Sequence, residues 1–126
     1  MTAKHHHLGH YLAVFYSDKT GPRWQAWYAM SEEEKRATDE KGLAALAAWD
    51  ETNKESIVYQ GGPLGPTKRT SEDGIEDVVN QLTVFVVVRA PSHQAAAELF
   101  VDHPHCTIFP CHCVEIMPLL GPPPDK

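Results

Sequence analysis

Apolar positions along the chain change period several times, and each change marks an element. From His10 to Ser17 the residues HYLAVFYS are aromatic and β-rich, and they end at Asp18 to Pro22, a first strand closed by turn residues. Trp24, Trp27 and Tyr28 then recur at i, i+3 and i+4, which predicts a short helix whose three rings share one face and pin it to the core. Ser31 followed by Glu32, Glu33 and Glu34 has the pattern of a capping box and predicts a second helix start. The stretch through Lys41 carries almost no apolar residue and reads as a solvated turn or two. Beyond Gly42, the residues Leu43, Leu46, Ala47 and Trp49 form a stripe able to cover a sheet, in a packing helix ending near Asn53. Asp50 sits on the edge of that stripe.

A short strand is predicted at Ile57 to Tyr59, after which the run from Gly61 to Pro66 breaks regular structure. The polar stretch from Thr67 to Asp77, with Asp73–Gly74 as a turn signal, reads as a hairpin tip or flap. Leu82 to Ala90 (LTVFVVVRA) is apolar at nearly every position, which predicts a central strand buried on both faces. Pro91 and Ser92 end it and cap a helix with Ala96, Leu99 and Phe100 inward, a stripe that His103 extends by a turn before Pro104 stops it. A last strand is expected from about Cys106 to Pro118, and the tail from Gly121 to Lys126, with three consecutive prolines, is expected to be extended and flexible. The order β, α, β, β, α, β predicts an α+β domain of the ferredoxin-like, split β-α-β type: one antiparallel four-stranded sheet with both helices on one face. A sheet whose central strand is apolar on both sides needs a second cover, so a homodimer packed sheet to sheet is predicted.

The totals narrow the options. A chain of 126 residues is one domain, read as residues 10–120 with flexible ends at 1–9 and 121–126. With a formal charge of -6 and no basic cluster beyond Lys68 and Arg69, nucleic acid is not an expected partner. No apolar run approaches the roughly 20 residues that span a bilayer, and no secretory signal is recognised, so no membrane partner and a cytoplasmic location are expected. Three cysteines, an odd count in a reducing compartment, are expected to be free thiols. His5, His6 and His7 are a native tract or a tag remnant, and they carry no site assignment.

Three stretches resemble the YCII-related proteins: IVYQGGPLGPTK, the strand and Ala-rich helix that follow, and HPHCTIFPCHCVEIMP. The resemblance spans residues 10–120. It implies a ferredoxin-like fold assembled as a dimeric α+β barrel, an interior pocket, and, by analogy with members of assigned activity, lyase chemistry on small ring compounds. Members near the type protein pair a histidine of the first helix with an aspartate that precedes a proline at the end of the second. Here neither of the first two predicted helices holds a histidine, and the residue before the proline is His103, so the dyad is either inverted, with Asp50 or another acid of the first packing helix facing His103, or lost.

Among the candidate residues, His103 is ranked first as a general base. At a helix C-terminus on an apolar stripe, the dipole favours its protonated form and burial opposes it, which predicts a pKa near neutrality. His105 and Asp50 are its candidate catalytic partners, and Trp27, Gly62 and Leu64 are candidate substrate contacts. A rival reading is a metal site drawn from His105, Cys106, Cys111, His112 and Cys113. Strand geometry weakens it, because Cys111 and Cys113 on one face of a strand would lie roughly 6–7 Å apart. No metal and no cofactor are therefore expected. The functional expectations are a cofactor-free lyase or isomerase of a small organic acid or ring compound, a non-catalytic small-molecule-binding dimer, and a His/Cys metal or redox site.

Overall fold

In the computed structural model, residues 8–121 are described; the expectations for His5 to His7 and for the proline-rich end after Gly121 lie outside them. Strand β1 (Gly9–Tyr16) alternates sides, and it pairs antiparallel with β5 (Leu82–Ala90) on one flank and β6 (Cys113–Pro118) on the other. Strand β2 (Ile57–Pro63) joins the far side of β5, giving the order β2-β5-β1-β6. With all pairings antiparallel, this is the ferredoxin-like sheet the element order predicts.

Two helices cover one face. The long helix α2 (Glu32–Thr52) starts at the predicted capping box: the Ser31 hydroxyl accepts from the Glu34 amide at 3.0 Å, and the Glu34 carboxylate accepts from the Ser31 amide at 2.8 Å. The expected break near Gly42 does not occur; the solvated and packing halves are one continuous helix. The short helix α3 (His93–Glu98) is capped by Ser92 and lies against β1, β5 and β6. The core between α3 and the sheet holds Tyr11, Ala13, Phe15, Val86, Val88, Ala90, Ala96 and Phe100.

Four expectations are corrected. Helix α1 (Pro22–Tyr28) buries none of its residues: Trp24 and Trp27 are half-buried and Tyr28 is exposed, and the three rings meet one another and Phe109. Strand β2 runs on through Gly61 and Gly62 instead of ending there; of the two irregularities in its register with β5, one lies between Ile57 and Tyr59 and the other, between Tyr59 and Gly62, takes in Gly61. At Gly61 (φ +63°) a Cβ would collide with the Phe85 carbonyl, so only glycine lets the bulged strand stay this close to β5. The last strand is shorter than expected, since Pro104 opens a one-turn helix α4 (Pro104–Thr107) and the chain reaches β6 only at Cys113. Finally, β5 is central, but its side chains are sealed only on the helix face, where Val86, Val88 and Ala90 are buried.

The polar stretch after Pro66 is a separate hairpin, β3 (Thr67–Ser71) and β4 (Gly74–Val78), turning at Gly74 (φ +108°). It carries the Lys68–Asp77 and Arg69–Glu76 ion pairs on its surface. No helix among the described residues is long and apolar enough to cross a membrane.

Candidate active site

The two helices meet the sheet differently, and a cavity results. Helix α2 has α4 as its main neighbour rather than the strands, and the gap between it and the sheet is a cavity of about 480 Å³. That volume lies in the ordinary range for small-molecule sites. Its walls are Leu43, Leu46 and Trp49 of α2, Phe15 of β1, Val84 to Val86 of β5, the β2 bulge, and Phe109. Gly42 is part of this geometry: it is buried, and a Cβ there would overlap the Phe109 ring, so the glycine lets that ring close one end of the cavity.

Four of the six predicted site residues line this space: His103, His105, Asp50 and Gly62. Trp27 and Leu64 instead line an adjoining hollow of about 290 Å³, which shares Pro63, Val84, His105 and Phe109 with the main cavity. Sequence reasoning missed the use made of Phe15, Trp49 and Phe109 as walls and of Gln60 as a tether. The large apolar residues look like ordinary packing positions, and nothing local distinguishes Gln60 from the surface glutamines. Gln60 donates its side-chain amide to an Asp50 carboxylate oxygen at 3.3 Å, holding the carboxylate at the cavity edge.

His103 is not where the sequence put it. Helix α3 ends at Glu98, the chain turns through Asp102 in the left-handed region (φ +59°), and His103 becomes the N-cap of α4. Its Nδ1 accepts the backbone amide of His105 at 3.1 Å. Only 4% of the residue is exposed, and its ring is packed by Phe15 (centroids 4.8 Å), Trp49 (4.7 Å, edge-on) and Phe100 (5.8 Å). Without a helix C-terminus to favour the cation, burial dominates and pushes the His103 pKa down to about 3, with the nearby His105 adding to the shift. The expected near-neutral histidine is thus corrected to one held neutral.

His105 stacks on His103 at 5.2 Å and meets Phe15 edge-on at 5.1 Å. Burial lowers its pKa, and the charge of Asp50 works in the opposite direction. Of the two imidazoles, only His105 has a carboxylate acting on its proton affinity. Trp49 fixes the wall behind them by donating its indole N–H to the Leu99 carbonyl at 3.0 Å.

The cysteine run forms a different kind of place. Cys106, Cys111 and Cys113 are all free, and Cys111 is buried with its thiol donating to the Tyr16 carbonyl at 3.1 Å. The anticipated pairing of Cys111 and Cys113 on one strand face does not exist, because Cys111 precedes β6. Contact between Cys106 and Cys111 raises the pKa of the first and lowers that of the second. Among the described residues no three His, Cys, Asp or Glu side chains converge as metal ligands.

Comparison with known proteins gives a fold-level likeness only. No family model matches the chain, and no curated protein matches it. Among solved structures it is similar to 5-chloro-2-hydroxyhydroquinone dehydrochlorinase from Burkholderia phenoliruptrix, solved in complex with 2,5-dihydroxybenzoquinone. The likeness covers 85% of this chain and 89% of that one, at 17% identity and a TM-score of 0.48. The antiparallel order β2-β5-β1-β6, with its helices on one face, assigns the ferredoxin-like α+β fold without it.

Proposed function

We propose that this chain is a YCII-related, cofactor-free lyase or isomerase that removes a proton from a small ring compound bound in the cavity beneath α2. The observation that carries this reading is the convergence of His103, His105 and Asp50 on one apolar cavity of small-molecule size. The roles differ from those the sequence suggested. His105 is the general base, and Asp50, steadied by Gln60, raises its affinity for the abstracted proton. His103, whose burial lowers its proton affinity and whose Nδ1 already accepts the His105 amide, is too weak a base for that role.

The test is deuterium uptake from D2O into the acidic C–H positions of a panel of cyclic ketones and 2-oxo acids, followed by NMR. Wild-type protein should accelerate uptake into at least one compound. His105→Gln should reduce the acceleration roughly 100-fold, in line with general-base catalysis, and Asp50→Asn should reduce it by a smaller factor. Undiminished exchange in His105→Gln would remove the mechanism. Saturable binding without exchange would leave a small-molecule-binding module instead.

The protein is further proposed to act as a homodimer in the cytoplasm, its three cysteines being free thiols. Support for the dimer comes from the sheet face away from the helices. There Leu12, Val87 and Met117 form a cross-strand apolar row that stays partly or fully exposed in the single chain. Sedimentation should give twice the 14.0 kDa chain mass; a monomer at micromolar concentration would remove this part of the proposal.

A further inference from the structure

His103 has a tautomer as well as a charge state. Because its Nδ1 accepts the His105 amide, that nitrogen carries no proton, and a neutral ring must carry its proton on Nε2. No described residue accepts from Nε2, yet Nε2 is not among the fully buried polar atoms that lack a partner. Among the described cavities, the one that the buried His103 ring borders is that under α2. A donor N–H therefore borders an apolar chamber, and none of the described residues satisfies it. Such a group is costly to leave unmet, and a ligand that supplies an acceptor removes the cost.

The rest of the lining restricts what that ligand can be. No Lys or Arg borders the cavity, and the one ionisable acid there, Asp50, repels anions. An anionic ligand would enter without a cation to meet it and pass a carboxylate on the way. The walls are otherwise large apolar and aromatic side chains, suited to a ring.

We infer that His103 is a fixed hydrogen-bond donor of the site, its Nε2–H recognising an uncharged carbonyl oxygen on an otherwise apolar cyclic ligand. The inference rests on the reading of the cavity as the ligand site, and it narrows the substrate class from ring compounds or organic acids to cyclic or aryl carbonyl compounds. It also gives the two histidines complementary tasks. A donor on the carbonyl oxygen stabilises the negative charge that develops there when His105 removes the proton on the adjacent carbon. In that step the C–H bond breaks, its electron pair moves into the carbonyl system to give an enolate oxygen, and the proton resides on His105.

Two measurements test this. Nitrogen-15 NMR of imidazole-labelled wild-type protein at pH 7 should place the His103 proton on Nε2; a proton on Nδ1 would overturn the assignment whatever the cavity binds. The second compares acetophenone with α-methylstyrene, which have the same shape but differ in carrying C=O or C=CH2, and with benzoate. Benzoate should bind at least tenfold more weakly than acetophenone. In His103→Phe, which keeps an apolar ring but has no donor, the ratio of the acetophenone and α-methylstyrene dissociation constants should move about tenfold against acetophenone, the scale of one hydrogen bond. An unchanged ratio would reject the donor role while leaving the cavity as a ligand site. If neither neutral probe binds the wild type although Nε2 carries the proton, the cavity reading fails and takes the inference with it. Should His103→Phe not fold, the wild-type tautomer and the benzoate comparison decide.

Discussion

The two principal helices lie on the same face of the same sheet, yet one seals it and the other holds a space open. Helix α3 has six residues and presents Ala95 and Ala96 to the strands; side chains this small bring the helix close, and Ala96 is completely buried. Helix α2 has 21 residues and presents Leu43, Leu46 and Trp49, but Leu43 remains 61% exposed and the helix rests mainly on α4. Large side chains on a helix held away from the sheet do not fill the gap beneath it; they line it. An apolar stripe thus announces a buried face without saying whether the face is packed or only enclosed.

Acidification should break the enclosed side first, and with the largest effect. His103 has a folded pKa of about 3 against an ordinary 6.5. Above pH 6.5 the ring is neutral in both folded and unfolded chains, and this stability is fully present. As pH falls below 6.5 the unfolded chain binds a proton that the folded ring refuses, so stability drops by about 1.4 kcal/mol per pH unit until about pH 3. The total is on the order of 5 kcal/mol, and His105, also lowered, acts in the same direction. Urea unfolding of wild type and His103→Phe between pH 7 and 4 should show the slope reduced in the variant; equal slopes would contradict a buried neutral His103.

Overpacking distinguishes the two helices directly. Ala96→Leu adds volume where none is free and should cost about 1–3 kcal/mol, read from the urea midpoint. Leu46→Phe adds volume beside the cavity and should change stability by less than about 0.5 kcal/mol while weakening acetophenone binding. Similar costs at the two positions would mean that α2 is as tightly packed as α3.

A smaller effect is expected at the seam between the helices. Trp49→Phe keeps an aromatic ring against Phe100 and His103 but removes the indole donor to the Leu99 carbonyl. The loss should be about 1 kcal/mol in urea unfolding. A loss near zero would mean that water replaces the indole without cost.

Much of the fold was legible because its signals are local. Ser31 and Glu34 cap one another three residues apart, the Ser92 hydroxyl alone caps α3, and LTVFVVVRA can hardly be anything but a central strand. The candidate residues were partly legible as well, since His103, His105, Asp50 and Gly62 were singled out by type and position and all border one cavity. The least legible stretch was His103 to His112. There Pro104 was read as a helix stop, although proline is equally suited to the first turn of a helix, and its fixed φ gives no sign of which end it occupies. That one ambiguity reversed the dipole at His103 and with it the expected charge state.

What the sequence determined by itself was the order of the four sheet strands and the helices α2 and α3, the Ser31 and Ser92 caps, and the set of chemically able side chains, because all of these depend on neighbours within a few positions. The tertiary structure alone decided that α2 stands off the sheet, that His103 Nδ1 accepts the His105 amide, and that Asp50 acts on His105. Each depends on the distance between segments remote in sequence, where burial and through-space charge are set by packing that no short-range pattern encodes.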